Sequence, residues 1–238
     1  MEKENKFYRE AVEMKGEIQF DEFYNEYFPF WGKLSDDDRN YICQNSSIVN
    51  FDKKQVVHGD NDCSGLFIVR SGKLRLYMLS EDGREITLYR LSPGEICMLS
   101  ASCVLQTITF DVFVEAEVPS ECFMIAPSAF SSVSERMLEV KNYALEVAVQ
   151  RFSDVMWVMQ QIMFMSTDKR LAIFLLDEIT SSGSDTVSMT HEQISRHIGT
   201  AREVVTRMLK HFALDGLLEV TRKGIKIIDI KKLRDIAY

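Results

Sequence analysis

The chain has 238 residues, enough for two domains with a core each. Its 46% hydrophobic and 27% charged residues are those of an ordinary globular protein. Five scattered cysteines exclude a disulfide scaffold, and their odd number points to a reducing compartment. No apolar segment follows the charged MEKENKFYRE, and the best bilayer candidate, 155–165, is broken by Gln160 and Gln161, so the expected location is the cytoplasm, with no membrane partner. The net charge of -8 argues against nucleic acid only until its distribution is considered. From Ser166 onward, 12 Lys and Arg face 10 Asp and Glu, so the acidic excess belongs to the first 165 residues.

In chain order, Phe20–Phe30 (FDEFYNEYFPF) and Ser35–Gln44 predict short amphipathic helices, the second opened by SDDD. From Ile48 the period shortens to two. IVNF, QVVH, GLFIVRSG, KLRLYML, REITLYRL and VFVEAEV are short branched or aromatic runs, with SEDG at 80–83 as a hairpin turn. Short strands at about ten-residue spacing predict an antiparallel jelly-roll barrel or sandwich.

Residues 134–165 lack Gly and Pro and carry a helical period. Leu138, Leu145, Ala148, Phe152, Val155, Met159 and Ile162 recur at three- and four-residue spacing, with Lys141 the one charged intruder. Such a stripe either packs along its own barrel or meets a second copy; its length favours a dimerisation helix and hence a homodimer.

The third segment, 166–238, carries the clearest signal. Thr190-His-Glu-Gln193 and Thr200-Ala-Arg-Glu203 both read as capping boxes. The first predicts a short helix ending near Ile198-Gly199, and the second a helix over Ala201–Asp215, joined through a single Gly as a helix-turn-helix. Val205, Met208, Leu209 and Phe212 form one apolar face; Arg202, Glu203, Thr206, Arg207 and Lys210 share the opposite one. LLEVTRKGIKIIDI then predicts two strands around Arg222-Lys223-Gly224, a wing with a cationic tip.

The fold class is thus α+β: an N-terminal antiparallel jelly-roll β-barrel (1–133), a long dimerisation helix (134–165) and a C-terminal winged helix-turn-helix (166–238). A polar helix face is often only a solvated face, but this one carries base-reading chemistry. Arg forks onto guanine O6/N7 and Glu accepts from cytosine N4, and Arg202 and Glu203 lie in the first turn, which reaches base edges. Thr200, Thr206, Arg222 and Lys223 are positioned for phosphates, which fix register, and Thr190 is a further DNA-binding candidate. The expected partner is double-stranded DNA.

ISRHIGTAREVVTRMLKHFALDGLLEV resembles the DNA-binding signature of the Crp/Fnr family of transcription regulators, in which the helix-turn-helix reads IG-x-x-RE-x-x-x-R. SGLFIVRSGKLRLYMLSEDGREITLYRLSPGE resembles the strands of that family's cyclic-nucleotide-binding jelly roll, including the Gly72 turn and Pro93-Gly94-Glu95. The resemblance covers nearly the whole chain. It implies a homodimer whose sensor barrel sets two winged helices on a palindromic operator, with Arg202, Glu203 and Arg207 as base readers. Contact with RNA polymerase is typical of the family; activation and repression are equally open.

The sequence departs from the family pattern at the effector. Cyclic-nucleotide binders follow Gly-Glu with Arg-Ser or Arg-Thr, because a buried phosphate needs a fixed cation. Here VLQTITFD (104–111) stands instead, with no Arg between Arg90 and Arg136, which argues against cyclic AMP or GMP. An iron–sulfur cluster needs about four converging thiolates. Cysteines at 43, 63, 97, 103 and 122, without a C-x-x-C, argue against one. Haem would have only His58 in the sensor half, and a cupin-type metalloenzyme would need two or three histidines, so no metal site, no cofactor and no enzyme activity are expected.

In GEICMLSASCV, residues 94–104, the candidate effector-pocket residues are Gly94, Glu95, Cys97, Ser100 and Cys103. Buried cysteines are ordinarily core filler. The alternatives are a thiol or redox switch on Cys97 and Cys103, a small-molecule pocket, or, for the whole chain, a dimeric scaffold that binds no DNA. A helical turn over 98–102 would hold the two thiols about 9 Å apart, beyond disulfide reach.

Overall fold

The computed structural model describes residues 20–58, 66–97 and 112–238. A helix over residues 20–27, α1, and a 3-10 turn at Trp31–Lys33 precede α2, Asp36–Gln44. Ser35 caps α2, its side chain accepting from the Asp38 amide at 3.1 Å, and three aspartates fill the first turn, where the helix dipole favours them. The single helix expected over Phe20–Phe30 thus stops early: Pro29 cannot continue it, and the chain turns at 29–30.

Among the described residues eight strands follow: β1 Ser46–Phe51, β2 Val56–His58, β3 Leu66–Ser71, β4 Leu74–Leu79, β5 Glu85–Leu91, β6 Ile96–Cys97, β7 Phe113–Ala116 and β8 Ser120–Ile125. They form two four-stranded sheets, ordered β1-β8-β3-β6 and β2-β7-β4-β5. All six runs read as strands are strands. The sequence reading missed β6, which is only two residues long, and β8, which is central in its sheet. SECFMI has too little alternation to announce itself: Ser120, Cys122, Phe123 and Ile125 are buried, and Glu121 and Met124 between them are half-buried.

The chain divides into two compact units. The first comprises residues 1–76 and 89–152; the second comprises 77–88, the tip of the β4–β5 hairpin, together with 153–238. In the first unit, aromatic rings of α1 cover the barrel: Phe20 meets Phe123 edge-on at 4.8 Å and Tyr24 lies 5.0 Å from Trp31. Their polar atoms are satisfied, Trp31 Nε1 donating to Asp21 at 2.9 Å and the Tyr24 hydroxyl to Ser46 at 2.8 Å. Gly72 is required at its turn, since its φ is +90° and a Cβ would lie 2.3 Å from the Ser120 hydroxyl oxygen.

The helix expected over 134–165 is two helices. Pro127 starts α3, Pro127–Arg136, as a first-turn proline. Met137 is extended (φ -115°, ψ 110°) and ends it, and α4 runs Leu138–Phe164. The break falls without a Gly or Pro, between the buried Ala129, Phe130 and Val133 of α3 and the buried Val140 of α4.

The second unit contains α5 Thr167–Ser182, β9 Thr186–Val187, α6 His191–Ile198, α7 Arg202–Leu214, β10 Leu218–Thr221, β11 Gly224–Ile227 and α8 Ile230–Ala237. Strands β10-β11-β9 form a small sheet, and the core gathers Leu171, Leu175, Ile194, Val205, Leu209, Phe212, Ile225 and Leu233. The sequence reading named neither α5 nor α8. The short C-terminal α8 is opened by Asp229, whose side chain accepts from the Lys232 amide at 3.0 Å.

Candidate nucleic-acid interface and effector region

Thr190 and Gln193 make the capping box expected of α6: the Thr190 hydroxyl accepts from the Gln193 amide at 3.1 Å, and the Gln193 side chain accepts from the Thr190 amide at 2.9 Å. Gly199 ends the helix in the left-handed region, φ +64°. The second capping box is absent. The Thr200 amide donates back to the Ser195 carbonyl at 3.0 Å as part of the helix stop, so the cap position moves on to Ala201, which has no side-chain cap. The turn therefore has three residues, 199–201, not a single glycine.

α7 carries the two faces expected of it. Val205, Leu209 and Phe212 are buried and Met208 is half-buried, while Arg202, Glu203, Arg207 and Lys210 are exposed. Thr206 is half-buried and engaged within the fold, donating to the Arg202 carbonyl at 3.0 Å and lying 2.9 Å from His191 Nδ1. Thr190 is exposed and Thr200 half-buried at either end of α6. At the wing tip Arg222 and Lys223 are exposed, on a turn held by the Thr221 hydroxyl, which donates to the Gly224 carbonyl at 3.0 Å. One contiguous domain thus presents a helix face and a wing tip with five cations and one carboxylate exposed: Arg202, Arg207, Lys210, Arg222, Lys223 and Glu203.

The far end of α6 is held by contacts the sequence did not announce. Arg170 of α5 donates to the Ile198 carbonyl at 2.8 Å, where a cation suits the helix C-terminus. His197 stacks on Phe174 at 5.2 Å and lies 2.9 Å from the Thr87 hydroxyl. Arg196 pairs with Glu85 at 3.4 Å and Glu192 at 3.5 Å, and a Cβ at Gly199 would lie 2.9 Å from Ile86. The hairpin residues Glu85, Ile86 and Thr87 thus buttress the first helix of the pair. Their separation of more than 100 residues from α6 hides this from periodicity arguments.

On α4 only Val140 is buried. Leu138, Leu145, Val149, Phe152, Met156, Met159, Ile162 and Met163 are exposed large apolar residues. From Leu145 to Met163 the series 145, 149, 152, 156, 159, 163 alternates four- and three-residue steps, the spacing of a coiled-coil seam. Ala148 and Val155, from the stripe read in the sequence, are half-buried instead.

At the candidate effector region, Gly94 has φ +86° and a Cβ there would lie 2.2 Å from the Tyr27 ring, so only glycine fits. Glu95 accepts from the Ser92 amide at 2.8 Å and pairs with Arg151 of α4 at 3.0 Å. The Arg151 guanidinium also sits 4.8 Å above the centre of the Tyr89 ring. Cys97 is fully buried, opposite Phe67 in the sheet; Cys122, opposite Val69, has its thiol pushed up to about 12, mainly by burial. Ser100 and Cys103, and the 104–111 stretch, lie outside the described residues, as does the side chain of His58. The sequence placed no cation near this turn; Arg151, 56 residues from its partner, supplies one.

Among the described residues no cluster of three or more His, Cys, Asp or Glu could hold a metal ion, and no helix is long and apolar enough to cross a membrane.

Comparison with known proteins agrees with this geometry. Residues 169–236 match the Crp-like helix-turn-helix domain, and residues 48–137 match the cyclic nucleotide-binding domain. The chain is 25% identical over 215 residues to the protein Flp of Lacticaseibacillus casei, assigned as a transcriptional regulator, covering 88% of this chain and 96% of that one. It is 42% identical to a crystal structure of a crp/fnr-family protein of Eubacterium rectale, assigned as a transcriptional regulator, with a TM-score of 0.84 and coverage of 89% and 99%. The fold is shared with FixK2 of Bradyrhizobium japonicum at 17% identity, TM-score 0.66, over 81% of this chain and 98% of that one. The chain is a member of the Crp/Fnr family, a transcriptional regulator with a helix-turn-helix DNA-binding domain.

Proposed function

We propose that two copies join along the α4 seam and set two α7 helices in successive major grooves of a palindromic operator. The observation that carries this reading is the amphipathic division of α7, with Arg202, Glu203, Arg207 and Lys210 exposed over a buried Val205–Leu209–Phe212 ridge. Arg202 and Glu203 would read base edges from the first turn; Arg222 and Lys223 would hold phosphates. An exposed apolar stripe on a helix with one buried residue supports the dimer, because water would otherwise cover all of that surface. Selection of the purified chain on random duplex DNA should enrich an inverted repeat with half-site centres about one helical turn apart. Recovery of direct repeats, or of unrelated sequences, contradicts the reading.

The barrel, in the same proposal, senses a ligand other than a cyclic nucleotide. Relatives such as the cAMP-activated regulator Vfr of Pseudomonas aeruginosa, 24% identical over 185 residues, take that nucleotide. Here the stretch after Gly94-Glu95 has no arginine to neutralise a phosphate, and Arg151 is already paired with Glu95. Equilibrium dialysis with cyclic AMP and cyclic GMP should show no binding at millimolar ligand. A thiol switch is the weaker reading, since Cys97 is fully buried. RNA polymerase as partner, and the choice between activation and repression, follow from the operator position once it is mapped.

A further inference from the structure

His191 opens α6 and lies against α7. Its Nδ1 is 2.9 Å from the Thr206 hydroxyl, which itself donates to the Arg202 carbonyl at 3.0 Å. A hydroxyl has one proton, so the imidazole must donate Nδ1–H to Thr206, leaving Nε2 as the nitrogen with a lone pair. The ring is half-buried, beside the α7 face that exposes Arg202, Glu203 and Arg207. Burial, and then the positive charge of Arg202, hold its pKa below the ordinary histidine value, so the free protein carries it neutral at pH 7. Of the other charges on α6 and its neighbours, Glu192 follows His191 in the first turn and is engaged by Arg196 at 3.5 Å, while Arg196 also meets Glu85 of the hairpin and Arg170 of α5 binds the Ile198 carbonyl at the far end of the helix.

We propose that His191 is a proton-linked phosphate contact of the DNA interface. As a backbone phosphate approaches, Nε2 takes one proton from water, and the imidazolium donates Nε2–H to a phosphate oxygen while Nδ1–H stays on Thr206. The phosphate charge offsets both the burial and the repulsion by Arg202, so the pKa is higher in the complex than in the free protein. Between those two values each binding event takes up a proton, and affinity rises as pH falls. The Thr206 bond fixes the ring plane, which makes Thr206 a positioning residue and not a phosphate ligand itself.

The inference rests on the DNA-binding reading, and one titration separates them. Affinity for the selected operator is measured by fluorescence anisotropy at fixed salt from about pH 5.5 to about 8.5. The unmodified protein should lose about tenfold in affinity across that range, up to one proton per complex. H191N, whose side-chain amide can donate to Thr206 from the Nδ1 position but cannot titrate, should give a flat profile and bind within about threefold of the unmodified protein at the alkaline end. A flat profile in the unmodified protein, or an unchanged slope in H191N, overturns the inference. Absence of operator binding at every pH contradicts the DNA-binding reading instead.

Discussion

Glu95, on the glycine turn between β5 and β6, pairs with Arg151 of α4 at 3.0 Å, so the candidate effector region and the seam helix share an ion pair. The Arg151 side chain is 15% exposed and also covers the Tyr89 ring. Arg151→Ala removes the cation, its contact with the ring and the packing of its methylene stem. The expected cost is about 1–2 kcal/mol, a melting temperature lower by roughly 2–4 °C. Arg151→Lys should restore only part, because an ammonium lacks the planar fork. Calorimetry that finds both variants unchanged shows the pair to be a bystander.

The DNA-facing residues divide into two kinds with separable signatures. Arg202→Ala should lose about 1–3 kcal/mol on the selected operator and tolerate any base at one position. Lys223→Ala should weaken selected and scrambled duplexes alike, and lower the slope of log affinity against log salt by about one. Equal losses on all sequences for Arg202→Ala would reassign that residue to the phosphates.

How far the sequence revealed this interface depends on the range of the interactions. The α6 cap, the Gly199 stop and the two faces of α7 are set by residues within a turn or two of one another, and periodicity finds them. Thr200 misled because its hydroxyl suits a cap, while its amide was needed to close the preceding helix. The hairpin contacts of Glu85 and Thr87 on α6, the Arg151–Glu95 pair and the His191–Thr206 bond join segments that only the fold brings together. The jelly roll was legible as a class, but central β8 lacks a two-residue alternation, and the α3–α4 break falls at Met137 with no Gly or Pro to mark it.

The α4 seam can be tested at one position. Phe152 is 66% exposed in the chain taken singly, and Phe152→Asp would place a charge in the middle of the proposed dimer contact. Sedimentation equilibrium should then find a monomer, with operator affinity lowered by at least about a hundredfold because the half-sites no longer bind jointly. A dimer that survives the substitution locates the interface elsewhere.

The barrel thiols should be inert while folded. Cys97 is fully buried and so shielded from reagents, and the Cys122 thiol is pushed up to about 12, so the Cys122 thiolate is nearly absent at pH 7. The folded value lies above the ordinary value of 9.0. The thiol's contribution to stability is therefore fully present below about pH 9 and fades as the pH climbs toward 12. Iodoacetamide at pH 7 followed by peptide mass analysis should leave both residues unlabelled until denaturant is added. Labelling of Cys97 in the folded protein would revive the thiol-switch reading.

The most direct test of the central claim is a salt titration of the unmodified protein on the selected palindrome and on a scrambled duplex of equal length. A regulator that works through the α7 face and the wing should prefer the palindrome by at least about a thousandfold, bind as two chains per duplex, and lose affinity steeply as salt rises. Equal affinity for the two duplexes, or binding indifferent to salt, would contradict it.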